Sequence, residues 1–245
     1  MTDHELVVSG LSVAYGKATA VDQMELTASG GAVTAVVGPN GAGKSSLVLG
    51  IYGSVAATGS VLVDGRDVSG LSPMQRARAG IAIVPQGRQL FPRMTVLENI
   101  TIMAEMLRLR GDAVGQALER FPILRDRKGA LAGVLSGGEQ QMLVVTRALM
   151  AEPSVILLDE MMTGLAPKIV QSLASTIAEL AASGVVVVMA DPTLAHIKGI
   201  VDRGYVLVRG HLVAQAPGAA ELQRAYEDAR GIIQEEIESE VAETA

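Results

Sequence analysis

Cysteine and tryptophan are absent from the chain, and phenylalanine occurs only twice. Without cysteine there is neither a disulfide framework nor a thiolate metal site, which permits a cytoplasmic location. With four tyrosines as the remaining rings, burial has to come from many interlocked aliphatic side chains rather than a few large ones. Long hydrophobic runs are missing too. Val155 to Leu158 and Val185 to Ala190 are among the longest, and both have the length of a buried strand rather than the roughly 20 residues that span a bilayer. Met1 to Glu5 carries acids and no basic segment ahead of an apolar stretch, unlike a secretory signal. Positive charge is in deficit: the net charge is −6, with acids gathered between Glu235 and Glu243. Sequence-independent binding of nucleic acid therefore lacks its electrostatic basis.

Valine, alanine, leucine and isoleucine carry the burial instead, and a composition 49% hydrophobic suits parallel strands covered on both faces by helices. A length of 245 residues is compatible with one α/β domain that has a large core and an insertion. Short β-like runs stand at Leu6 to Ser9, Ala32 to Val37, Ser60 to Val63, Ile81 to Val84, Val155 to Leu158, Val185 to Ala190 and Tyr205 to Val208. Most lead into turn residues or a helix-like segment, an alternation that predicts an α/β fold with a largely parallel sheet. Between Ser72 and Met150 the pattern turns helical, through Thr95 to Leu109, Asp112 to Arg120 and Gly138 to Met150. A helical subdomain inserted into the sheet domain is expected there. Ala219 to Glu240 has helical spacing and ends in acids and alanines, which predicts a peripheral helix with a frayed end. The expected layout is one domain over 1–245, with an α/β core at 1–85 and 151–218, a helical part at 86–150, and a C-terminal helix and acidic tail at 219–245.

Gly38-Pro39-Asn40-Gly41-Ala42-Gly43-Lys44-Ser45 has the spacing of a phosphate-binding P-loop, and it lies between the strand Ala32 to Val37 and a helix starting near Gly43. Glycines let the backbone fold back so that consecutive N–H groups point inward, and the helix N-terminus adds partial positive charge. Lys44 is expected to bridge the β- and γ-phosphates, Ser45 to place its hydroxyl on Mg²⁺, and Ser46 to complete the first turn. The alternative is a glycine-rich turn that holds Lys-Ser by chance; the flanking strand and helix count against it.

Val155-Ile156-Leu157-Leu158-Asp159-Glu160 is an aliphatic strand ending in two acids. In a doubly wound sheet the carboxyl end of a strand opens onto the ligand crevice, so both can face the P-loop. Asp159 would hold Mg²⁺ through its water shell and Glu160 would polarise the attacking water as general base. A solvated turn is the alternative for such a pair taken alone.

Leu135-Ser136-Gly137-Gly138-Glu139-Gln140-Gln141 is more restrictive, and it resembles the signature motif of ABC ATPases. Ser136 and the two glycines open a helix and present N–H groups to a phosphate. Ser136 to Glu139 also reads as a capping box, which is compatible with that role. In the family the phosphate belongs to ATP held on the opposite subunit, so the resemblance implies sites formed at a dimer interface. Tyr15 lies where the family places an aromatic that stacks on adenine, the alternative being a partly buried ring at a strand end, and Val21 would flank the same base. Gln86 matches the family's Q-loop glutamine, which touches Mg²⁺ or the attacking water. Within the family the chain is most similar to ATP-binding subunits of branched-chain amino acid importers and their amide and urea relatives. Gly87-Arg88, Phe91, Thr95-Val96-Leu97-Glu98-Asn99, Gly164-Leu165-Ala166-Pro167 and Asp202 to Leu207 carry that likeness.

The resemblance implies a P-loop NTPase core of mainly parallel sheet, a small antiparallel β subdomain and an inserted helical subdomain. It implies ATP and Mg²⁺ as ligands, Glu160 and Gln86 as catalytic groups, and Ser45, Gln86 and Asp159 around the metal. Tyr15, the loop Gly38 to Ser46 and the trio Ser136, Gly137 and Gly138 would bind nucleotide. The implied partners are transmembrane permease subunits, a second ATP-binding subunit in a closed dimer and, indirectly, a solute-binding protein; the implied location is the inner face of the cell membrane. Two departures bear on mechanism. Met161-Met162-Thr163 precedes Gly164 where the family usually has proline after the acidic strand. The position of the family's switch histidine, or glutamine in amino-acid importers, is Pro192, which has no side-chain donor. Asp191-Pro192-Thr193 reads instead as a helix start, with His196 one turn further on. The expectation is intact binding of Mg-ATP with slow hydrolysis. Two rival readings stay open: a hydrolysis-impaired clamp that closes against an active partner, and a non-transport ABC ATPase, whose usual tandem cassettes or coiled-coil insertions are not visible.

Overall fold

The computed structural model describes residues 4–244, with side chains described through 231. The expected frayed, acidic end of the chain, and Met1 to Asp3 of the acidic N-terminus, lie outside the described side chains.

Six strands form the central sheet, in the order β10 (His211–Pro217), β9 (Arg203–Val208), β3 (Val33–Val37), β8 (Val186–Asp191), β7 (Val155–Asp159) and β6 (Ile81–Val84). All of its pairings are parallel except that of β10 with β9. A second, antiparallel sheet has the order β2 (Ala18–Ser29), β1 (Glu5–Tyr15), β4 (Ala57–Val63) and β5 (Arg66–Asp67). The helices are α1 (Lys44–Tyr52), α2 (Pro73–Arg78), α3 (Val96–Leu107), α4 (Ala113–Arg120), α5 (Pro122–Asp126), α6 (Gly137–Leu149), α7 (Pro167–Ala182) and α8 (Gly218–Thr244). The architecture is the expected one, a mainly parallel sheet with a small antiparallel sheet and a block of helices between β6 and β7.

Strands β3, β7 and β8 are buried along their whole length, which is why they read as unbroken aliphatic runs without alternation. Successive side chains leave to opposite faces. On β7, Ile156 and Leu158 join a core shared with α3 to α7, whereas Val155 and Leu157 join one shared with α1 and the antiparallel sheet. The carboxyl ends of β3, β7 and β8 thus come together in one crevice.

Strands β2 and β10 were not expected from the sequence. β2 is interrupted by Gln23 at φ 48°, whose N–H donates to the Ser12 hydroxyl at 2.9 Å, and the register against β1 shifts nearby. That irregularity breaks the period-two pattern. β10 is an edge strand, mostly exposed and ending at Pro217, and edges carry the weakest hydrophobic signal. The helix expected to start at Asp191 does not form: Asp191 ends β8, and 192–200 run as turns. Its carboxylate does accept the Thr193 N–H at 3.0 Å, but the single turn at Leu194 to Lys198 is not continued.

Helix α8 packs on β9 and β10. Leu222, fully buried, fills the space at Gly204, where an added Cβ would lie 2.1 Å from the Leu222 Cδ2. Leu222→Ala is expected to destabilise the fold by about 3 kcal/mol, read as a lower urea midpoint with an unchanged slope.

Candidate functional site

Strand β3 delivers the chain to Gly38, whose missing side chain is a requirement of close approach: a Cβ there would lie 2.0 Å from the Leu207 carbonyl oxygen. The loop then turns into α1 through Gly43, at φ 102°, where a Cβ would meet the Ala20 oxygen at 2.1 Å. Among the described residues no side chain caps α1. Its first turn, Lys44 to Ser46, opens onto a cavity of about 330 Å³ whose other walls are Ala20, Asn40, Gly41, Gln86 and Glu160. An uncapped helix start with a lysine in a polar cavity is built for an anion such as phosphate.

Lys44 is 3% exposed. Its Nζ donates to the carbonyls of Gly38 at 2.8 Å and Pro39 at 3.0 Å, and lies 3.9 Å from Glu160 Oε1. Burial lowers the ammonium pKa, against the pull of Glu160, Asp159 and Asp191. Ser45 donates its hydroxyl to Asp159 Oδ1 at 3.1 Å, and Gln86 Nε2 donates to Glu160 Oε2 at 2.9 Å. The expected catalytic and metal residues thus form two hydrogen-bonded pairs, Ser45 with Asp159 and Gln86 with Glu160, with the Lys44 ammonium beside Glu160. Ser45 and Asp159 are the hydroxyl-plus-carboxylate pair that suits Mg²⁺, an ion that completes its shell with water and substrate phosphates. Burial pushes the Asp159 carboxyl up, with the Ser45 hydrogen bond opposing.

Glu160 stands at φ 45°, in the left-handed region, and its N–H donates to the Ala190 carbonyl at 2.9 Å. A non-glycine residue there is held by its surroundings, and such positions gather at functional sites.

The signature residues are placed elsewhere. Ser136 caps α6, its hydroxyl accepting the Glu139 N–H at 3.3 Å while Glu139 accepts the Ser136 N–H at 2.8 Å, and the trio Ser136 to Gly138 lines no part of the P-loop cavity. Gly137 and Gly138 admit close neighbours, Arg88 Nη2 at 2.9 Å and Ile169 Cγ1 at 2.8 Å from an added Cβ. Arg88, two residues after Gln86, donates to Gln140 Oε1 at 3.2 Å. The Gln86 loop and the signature helix are thereby coupled.

Tyr15 is 49% exposed at the end of β1, so its ring is open rather than buried, and its partner across the strand is Ala18. Val21 does not meet the expectation. It is fully buried in the core and leaves no surface for a base; its neighbour Ala20 forms the wall instead. Met161 and Met162, at 5% and 0% exposure, anchor their loop in the core. His196 is exposed, a solvated residue.

A family model described as "ABC transporter" matches residues 21–163. The chain belongs to the ABC transporter family. It is 39% identical to the high-affinity branched-chain amino acid transport ATP-binding protein BraG of Pseudomonas aeruginosa over 214 residues, 86% of this chain and 91% of that one. The lipopolysaccharide export system ATP-binding protein LptB of Escherichia coli is 33% identical, over 89% of this chain and 92% of that one. A probable branched-chain amino acid transport ATP-binding protein, LivF, of Archaeoglobus fulgidus is 36% identical over 74% of this chain and 78% of that one. Among solved structures, a nucleotide-free ATP-binding cassette from an ABC transporter matches with a TM-score of 0.83 and 26% identity, covering 93% of this chain and 96% of that one. The ADP conformation of another such cassette matches at 0.80 and 27%, with the same coverage. The chain is thus an ABC-type ATPase, an ATP-binding subunit in which no helix among the described residues is long and apolar enough to cross a membrane.

One buried acid near Lys44 and Glu160 was missed as a candidate. Asp191, 2% exposed, ends β8 beside Val37, within the electrostatic reach of Lys44 and Glu160. The rule that found Asp159, an acid at the carboxyl end of a parallel strand, applies equally to Asp191, which sequence reasoning treated only as a helix cap. Burial pushes its carboxyl up, against the Thr193 hydrogen bond and the positive charges of His196 and Lys44. A carboxyl whose pKa is raised on folding binds more protons when folded, so it opposes stability above its folded pKa and is neutral in effect below the unfolded one. Asp191→Asn, which can keep the Thr193 bond, is expected to raise the melting temperature at pH 7, with the gain fading as the pH falls into the ordinary aspartate range.

Proposed function

We propose that this chain is the ATP-driven motor of an importer for branched-chain amino acids or a related small polar solute, working on separate transmembrane subunits. The observation that carries the motor reading is the P-loop cavity lined by Lys44, Ser45, Gln86 and Glu160, with Asp159 bonded to Ser45 and Gln86 bonded to Glu160. The importer reading is supported by the likeness to BraG and LivF, while the likeness to LptB makes an exporter the competing direction.

In this reading two copies, or this chain and a related one, close around two ATP molecules. The P-loop N–H groups and Lys44 hold the phosphates, Tyr15 stacks on the base, and Ser136, Gly137 and Gly138 of the opposite subunit cover the γ-phosphate. Glu160 takes a proton from the attacking water, and Gln86 orients that carboxylate through its Nε2 bond. Bound at Ser45 and Asp159, with Gln86 near, Mg²⁺ would neutralise charge on the phosphates. Loss of the γ-phosphate bridge lets the pair reopen. Residues 86–150 act as the helical part and the rest as the nucleotide-binding core with its C-terminal helix.

Permease docking has a matching surface. A largely apolar cavity of about 430 Å³ lies over β6 between α1, α3 and α6, walled by Leu49, Tyr52, Ile83, Met103, Leu107 and Arg147. Arg147 donates to the Gln89 carbonyl at 3.0 Å and stands 5.3 Å from the Phe91 ring centroid. A cytoplasmic helix seated here would press on the segment that begins with Gln86, in keeping with a motor on the inner face of the membrane and a solute-binding protein engaged only through the permease.

Pro192 favours the second reading, a weakened clamp paired with an active subunit, because its only polar group, the carbonyl, accepts the Tyr226 hydroxyl at 2.9 Å. Retention of Glu160 and Gln86 favours hydrolysis. A positioned donor at the transferring phosphate is worth about 10²- to 10³-fold in rate, so slow turnover with intact binding is expected. Mg-dependent turnover, measured against protein concentration, should rise per subunit as the dimer forms and vanish in Lys44→Ala. Pro192→His is expected to raise turnover at least about tenfold with ATP affinity unchanged. Wild-type turnover already equal to that of an active family member, and unaltered by His196→Ala, would refute the impairment.

A further inference from the structure

Helix α8 reaches the segment that follows β8 through Tyr226. The ring is 5% exposed, Arg230 stands 5.8 Å from its centroid, and its hydroxyl donates to the Pro192 carbonyl at 2.9 Å. Proline has no N–H to offer a neighbour, so the carbonyl is the handle by which this residue is held. Burial raises the phenol pKa, which keeps the hydroxyl a donor. The helix itself is anchored by Leu222 in the space left by Gly204.

From Pro192 the chain runs back two residues to Ala190, whose carbonyl accepts the N–H of the candidate base, Glu160. Asp191 lies in register with Val37, the last residue of β3, which leads into the P-loop, and its carboxylate closes a turn on the Thr193 N–H at 3.0 Å. The carbonyl of Ala190 accepts the Glu160 N–H at 2.9 Å. The short run Ala190 to Pro192 is therefore bonded to Glu160 at one end and to α8 at the other. Glu160, at φ 45°, is in a conformation that its surroundings must enforce. A shift of this run shifts the base.

We propose that Tyr226 is a positioning residue for ATP hydrolysis: through Pro192 and Ala190 it lets the C-terminal helix set where Glu160 stands, without touching the nucleotide-binding loop. This rests on the reading of Glu160 as the general base. The consequence is a division of labour, with α8 tuning the chemical step while the P-loop governs affinity. Anything that displaces α8, such as a partner that engages the helix, would slow hydrolysis and leave ATP bound.

The test is Tyr226→Phe in the full chain, which removes one oxygen and keeps the ring. Single-turnover hydrolysis and equilibrium ATP titration, both with Mg²⁺, give the split between chemistry and binding. One hydrogen bond of ordinary worth corresponds to a rate constant lower by about tenfold, with affinity within about twofold of wild type. Hydrogen exchange should quicken at the Glu160 and Thr193 amides and stay unchanged in the P-loop. A wild-type rate constant overturns the proposal, as does a parallel loss of rate and affinity, or unaltered exchange at both amides. Glu160→Gln separates the two readings. Full turnover in that variant would sink the base assignment, while the exchange comparison would still decide whether Tyr226 holds Glu160.

Discussion

One buried ammonium organises the carboxyl edge of the central sheet. Lys44 is nearly inaccessible, and it is surrounded by two backbone carbonyls and the acids that end β7 and β8. Removing a charge from water is affordable to the fold only when partners replace the lost hydration. The carbonyls of Gly38 and Pro39 do so because the loop folds back on itself, and that in turn requires glycine where Leu207 and Ala20 press against the backbone. Burial leaves Asp159 and Asp191 easier to protonate than a solvated aspartate, with the nearby Glu160 carboxyl adding to the effect and Lys44 opposing it.

The parts of this site that were legible in the sequence are those in which local chemistry forces a local pattern. A P-loop needs its glycines and lysine at fixed spacing, a buried parallel strand is an unbroken aliphatic run, and a capped helix announces itself by Ser136 and Glu139. What escaped notice depends on distant contacts. β2 hides behind the irregularity at Gln23, which only the Ser12 partner on β1 makes favourable. Val21 passes for a base-flanking residue until the antiparallel sheet is seen to bury it completely. Asp191 followed by proline looks like a helix start, but Asp191 is the last residue of β8 and α8 holds the Pro192 carbonyl through Tyr226. In each case a residue far along the chain outweighs the local preference.

The division between what this chain carries and what it does not follows from the same geometry. The candidate groups for phosphate, metal and water lie in the P-loop and the start of α1, at the carboxyl end of β7, on the Gln86 loop and at the head of α6. None of these surfaces has the shape of a small-solute pocket, in keeping with importer-named and exporter-named relatives of similar identity. In the proposed reading, direction and cargo belong to the proteins that the apolar groove between α1, α3 and α6 would hold.

The head of α6 has a further consequence. Ser136 and Glu139 satisfy each other's backbone groups within a single subunit, and Gly137 lies against Arg88, so the signature turn is already in shape before any second subunit approaches. Association then does not have to freeze a loose loop, and the entropic penalty that commonly weakens encounter between proteins is largely absent at this spot. In the proposed dimer the lifetime of the closed pair would be governed by the phosphate between the subunits, so the assembly would come apart as quickly as that one bridge is cut.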